Sequence, residues 1–86
     1  MTDAWPAVVS ATAADYLKAL DPIDQELVRD MLAIASRDPY YWPQWQPADP
    51  DGTDVRLASV GPLAVVYWVN RYRERLLVID INRLPL

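Results

Sequence analysis

Between positions 21 and 38 apolar residues return every three or four places: Ile23, Leu27, Met31 and Ile34, widened by Val28, Leu32 and Ala35. Such spacing paints one face of a helix, and Glu26, Arg29 and Asp30 fill the opposite face. Asp21 can cap this helix, Pro22 suits its first position, and Asp24 stands three residues after the cap. Pro39 ends it, because the residue before a proline is pushed out of the helical region. A shorter helix precedes it in "TAADYLKAL", with Ala14, Leu17 and Leu20 on one face and Thr12 as its N-cap. The two read as an antiparallel helical hairpin joined around Asp21 and Pro22.

Elsewhere the period drops to two. "WPAVVS" (5–10) is a short β-prone run whose proline confines it to an edge. "VRLASV" (55–60) sets Val55, Leu57 and Ser59 against Arg56, Ala58 and Val60. After a Gly61-Pro62 turn, "PLAVVYWVN" is apolar on both faces and reads as the central strand, with Tyr67 and Trp68 as packing residues. "RLLVIDIN" (75–82) returns across a tip of about four residues, 71–74. Strict alternation there points Leu77, Ile79 and Ile81 inward and Asp80 outward; an inward Asp80 would instead be a general-base candidate. Between helices and strands lies "DPYYWPQWQPADPDGTD" (38–54), rich in proline and expected to be irregular. Its aromatics, Tyr40, Tyr41, Trp42 and Trp45, could stack on nucleic-acid bases, but among flanking acids they are expected to fold back over part of the core or to offer a protein-binding patch. The order β-α-α-β-β-β predicts an α+β domain over 1–86, a small, mostly antiparallel sheet packed on one side against a helical hairpin.

Composition removes several kinds of chemistry. With no cysteine and no histidine there is no disulfide framework, no Ser-His-Asp or Cys-His catalysis, and no soft-ligand zinc or copper site. No cofactor is expected. The N-terminus lacks the basic start and apolar run of a signal peptide, and no segment reaches the ~18 apolar residues of a membrane span. A cytoplasmic address without membrane partners is the resulting expectation.

Charge sharpens the picture. The chain is acidic, with a net charge of -4, but the charge is divided. Residues 1–54 hold ten acids and three bases, whereas residues 55–86 hold five arginines and two acids. Such a split points toward an anionic partner. Arg71, Arg73 and Arg75 alternate at the hairpin tip. They are either a row of phosphate contacts, giving RNA binding, or the solvated end of a hairpin.

The strings "YLKALDPIDQELVRDMLAIASRDP" and "VRLASVGPLAVVYWVNRYRERLLVIDINRL" resemble the RelE/ParE superfamily of bacterial type II toxins. There a strand of the form Arg-x-Val-Tyr-x-Val leads into a charged hairpin and a Val/Ile-rich strand, as "AVVYWVNRYRERLLVIDI" does, with Tyr67 at the tyrosine position. The resemblance implies a toxin neutralised by a cognate antitoxin. It implies action either on the ribosome, by cutting mRNA, or on DNA gyrase. It makes Arg56 and Arg83 the catalytic candidates, two guanidinium groups stabilising a phosphorane without a protein nucleophile. It also marks departures: Ala64 stands where the family places a central-strand arginine, and an acidic aromatic segment replaces a basic one. The chain, with a pI near 4.4, leaves no room after "NRLPL" for a C-terminal catalytic Tyr or His. The alternative reading is a catalytically silent protein of this fold that binds a protein partner or a second copy of itself.

Overall fold

Ser10 ends the first strand and starts the first helix. Its hydroxyl accepts from the Ala13 amide at 3.2 Å, while its own amide donates to Val78 at 2.9 Å. The computed structural model describes residues 4–46, 50 and 53–84. It places β1 at Ala7–Val9, α1 at Ala11–Ala19 and α2 at Pro22–Arg37. The remaining strands are β2 (Gln44–Gln46), β3 (Thr53–Val60), β4 (Leu63–Asn70) and β5 (Arg75–Arg83). Ser10, not Thr12, is therefore the N-cap of α1: the chain is already turned by its bond to β5, so the helix begins earlier.

α2 starts as its sequence dictates. The Asp21 carboxylate accepts from the Asp24 amide at 3.0 Å and Pro22 follows the cap. Its buried stripe is Asp24, Val28, Met31 and Ala35, rotated from the expected one. Ile23 is 76% exposed and Ile34 44%. In the first turn Asp24 takes the inward position that the expected stripe gave to Ile23.

The sheet has the order β1-β5-β4-β3-β2. β1 runs parallel to β5 and every other pair is antiparallel, which makes the sheet mixed. β3 and β4 are joined by Gly61 and Pro62 alone. Gly61 adopts φ +55, and proline's fixed negative φ leaves only a II′-type turn, with the positive φ at its first position. A Cβ on Gly61 would also lie 2.7 Å from Leu27 of α2.

Two expectations about strands are corrected. Part of the segment expected to be irregular forms β2, which pairs with β3 through Gln44 and Arg56, and β3 begins at Thr53 rather than Val55. In β5 the register skips Ile79: Val66 faces Asp80 while Tyr67 faces Val78. This bulge breaks strict alternation, so Leu76, Val78 and Ile81 are buried against the helices and Leu77 faces the other way. Of the aromatics, Trp42 packs on the core, whereas Tyr40, Tyr41 and Trp45 are 44%, 62% and 55% exposed. Residues 47–49 and 51–52 of that segment lie outside the described residues.

Candidate functional site

Register sorts the strand residues onto two faces. Toward the helices go Ala58 with Val65, Arg56 with Tyr67, Asp54 with Val69, and Leu63 with Arg83. Arg56 is thus part of the helix-facing layer, and its side chain is only 16% exposed. Its Nη1 donates to the Trp42 carbonyl at 2.9 Å, and its Nη2 to Asp54 Oδ2 at 2.9 Å. Its guanidinium carbon lies 5.0 Å from the centre of the Tyr40 ring. The Tyr40 ring in turn stands edge-on to Trp5 at 6.5 Å.

Beneath this network Tyr67 is fully buried and donates its hydroxyl to the Pro39 carbonyl at 2.9 Å. Burial pushes its pKa up to about 12; Arg56 pulls the other way, and Asp38 and Asp54 add to the rise. It is a neutral donor at any physiological pH, as the sequence reading of Tyr67 as a packing residue requires.

Arg83 is placed differently but used in the same way. Its Nη2 donates to Asp24 Oδ2 at 2.8 Å, tying the end of β5 to the first turn of α2, where a carboxylate also suits the helix dipole. Arg56 and Arg83 are not brought together. β4 separates their strands, and their register partners, Tyr67 and Leu63, are four residues apart. That amounts to roughly 13 Å along the strand and roughly 10 Å across it between their backbones, and each guanidinium is engaged by a different carboxylate, Asp54 for Arg56 and Asp24 for Arg83.

The tip arginines divide. Arg71 is fully exposed, with its Nη2 3.3 Å from the Tyr72 hydroxyl and its guanidinium over the Tyr72 ring; that hydroxyl bond raises its pKa further. Arg73 donates its amide to Asn70 Oδ1 at 3.1 Å, which turns the chain, and Glu74 completes the turn at φ 52. Arg73 and Arg75 line an open cleft of about 380 Å³ with Trp68, Asn70 and Leu77. Neither pairs with an acid among the described residues.

Trp68, read from sequence as packing, is the residue that reading misplaced: it is 41% exposed on the face away from the helices. The signal was its position next to Tyr67, since neighbours in a strand point to opposite faces. Its row across the sheet is Val8, Leu77, Trp68 and Val55. The next row holds Asp80, Val66 and Leu57, and the last Asn82, Ala64 and Ser59. Asp80 faces outward as expected, although the bulge at Ile79 and not alternation puts it there, and it accepts from Asn82 Nδ2 at 2.6 Å.

Solved structures share this fold. The isolated RelE toxin of Escherichia coli superposes with a TM-score of 0.80, covering 96% of this chain and 87% of that one at 15% identity. This chain has the RelE fold. The archaeal RelE–RelB complex of Pyrococcus horikoshii OT3 gives a TM-score of 0.79 at 13% identity, covering 93% of this chain and 94% of the matched one. A RelBE toxin–antitoxin complex of Mycobacterium tuberculosis gives 0.72 at 17% identity, covering 96% and 94%. No family model matches the sequence, and no curated protein matches it significantly. On this RelE fold, Ala64 sits in the row with Ser59 and Asn82, which carries no charge. No described helix is long and apolar enough to cross a membrane, and no described group of His, Cys, Asp or Glu residues could hold a metal ion.

Proposed function

We propose that this chain is the toxin-fold member of a toxin–antitoxin type pair, held by a cognate antitoxin, and that it acts by binding protein rather than by cleaving RNA. The observation that carries this reading is the use of its arginines. Arg56 and Arg83, the two the resemblance nominates for catalysis, face the helices and serve internal ion pairs. Among the described residues, the open face of the sheet offers a phosphate Arg75 and its neighbour Arg73 alone. Two relatives in fold were solved as toxin–antitoxin complexes, which supports an antitoxin as the partner class.

The test combines programmed ribosomes with the purified protein, and separately pairs its expression with that of the adjacent reading frame. Intact mRNA, together with co-purification of a short partner, is the expected result. A second reading, mRNA cleavage with RNA held at the tip, is favoured by the exposed Trp68 beside Arg73 and Arg75, an aromatic platform next to two cations. Cleavage of ribosome-bound mRNA that is lost in an Arg73→Ala/Arg75→Ala variant of unchanged melting temperature would establish that reading and overturn the first.

A further inference from the structure

Among the described residues no layer covers the open face of the sheet, and its pattern is specific. One row is apolar across four adjacent strands: Val8, Leu77, Trp68 and Val55. Val8 is 52% exposed and Trp68 41%, both high for side chains of this size on a sheet face. On one side of that row, Arg75 lies two residues before Leu77, beside Asn70. On the other side, Asp80 lies opposite Val66, two residues from Trp68. A cation and an anion therefore flank the apolar row on the same strand, about 7 Å to either side of it.

We infer that this face binds a second copy of the chain, the two sheets stacked face to face with their strands antiparallel. A two-fold axis running across the strands over the Trp68–Leu77 row lays that row on its own counterpart. The same operation carries Arg75 of each copy onto Asp80 of the other. A two-fold interface requires this kind of self-complementarity, in which each contact occurs twice. The charged groups are available for it. Arg75 meets no acid among the described residues, and Asn82 engages one oxygen of Asp80 and leaves Oδ1 open. Trp68, at the centre of the patch and bordered by apolar residues, holds the position and residue type of an interface anchor. Inner faces of stacked sheets lie about 10 Å apart, a gap that Trp, Leu and Val side chains from both sides fill. An RNA strand would meet Asp80 in the middle of this face and a cation at only one end, whereas a second copy answers both charges. The inference goes beyond the pairing with an antitoxin and does not depend on it.

Sedimentation equilibrium across a concentration series tests it, with circular dichroism as the control for folding. The wild-type chain is expected to dimerise, and Trp68→Ala to leave it monomeric. Arg75→Glu and Asp80→Arg are each expected to weaken the dimer about tenfold or more. Combined in one chain they restore the opposite-charge pairs, with dissociation returning to within about threefold of wild type. Because that recovery needs a folded chain, it separates lost contact from lost structure. A wild-type chain that stays monomeric at about 1 mM overturns the inference. So does a dimer indifferent to Trp68→Ala, or a double variant no tighter than its singles. A monomer that uses Trp68 to hold a co-expressed partner assigns the face to that partner and likewise overturns self-association.

Discussion

Tyr67 links the sheet to the segment after α2, and alkaline pH can cut that link without a mutation. Its hydroxyl is fully buried against the Pro39 carbonyl, and its pKa is pushed from 10.0 to about 12, chiefly by burial. The unfolded chain releases this proton near pH 10, whereas the folded chain keeps it until about pH 12. Below pH 10 both states hold the proton and the stabilisation is complete; between pH 10 and 12 the unfolded state binds fewer protons, so stability falls as pH rises. A rise of that size corresponds to about 2.7 kcal/mol in total, of which about 1.4 kcal/mol is gone by pH 11. A domain of this size holds on the order of 4–13 kcal/mol, so the loss is measurable. Urea unfolding at pH 9 and pH 11 of the wild type and of Tyr67→Phe provides the assay. At pH 9 the variant is less stable by about 1–2 kcal/mol, having lost the hydroxyl and left the Pro39 carbonyl unpaired. At pH 11 that gap closes by about 1.4 kcal/mol, because the variant has no proton to lose there. Other groups that titrate in this range act on both proteins and cancel in the difference. Phenolate absorbance gives an independent readout: in the folded chain Tyr67 should keep its proton until about pH 12. A gap that stays constant between the two pH values would refute the reasoning, as would Tyr67 titrating near pH 10 in the folded chain.

Arg83→Ala removes the partner of the buried Asp24 carboxylate; since Arg83 is half exposed, the expected loss is about 1–2 kcal/mol by urea unfolding, less than for a fully buried pair. Arg56→Ala strands Asp54 and opens the contact with Trp42 and Tyr40, with an expected cost of about 3 kcal/mol. A stability unchanged in either variant would show that these arginines are not structural. Glu74→Gly relieves a left-handed residue at the hairpin tip and should raise stability by about 1 kcal/mol, seen as a higher melting temperature.

How far the fold could be read depended on the range of the signal. The start of α2 was legible because its cap uses three neighbouring local groups, Asp21, Pro22 and Asp24. The β3-β4-β5 meander was legible because two short connections force antiparallel neighbours. The parallel docking of β1 on β5 is a contact between the two ends of the chain and leaves no local trace, so the residue pattern reveals the strand but not its place. β2 is three residues long and lies at an edge, among prolines that argue against strand, and pairing with β3 overrides that propensity. The site was less legible than the fold. The resemblance nominated Arg56 and Arg83, but the face each occupies is set by register, which depends on pairing rather than on composition.

β5 shows how much rests on a single residue. Leu76 and Val78 point to the helices, and strict alternation from them would send Asp80 and Asn82 into the core and turn Ile81 and Arg83 outward. A carboxylate and an amide would then be buried among Val65 and Leu63 without partners, at a cost of several kcal/mol. Ile79 prevents this by standing unpaired between Val78 and Asp80, so that every later residue changes face. Ile81 returns to the core, and Arg83 comes within 2.8 Å of Asp24. Asp80 moves to the open face, on the far side of the Trp68 row from Arg75. The bulge therefore does two things with one inserted residue: it turns Arg83 to the helix-facing side, where Asp24 holds it, and it supplies the acid that gives the open face its alternating charge. Any reading of that face as a cationic surface has to account for Asp80, and the position of Asp80 follows from Ile79.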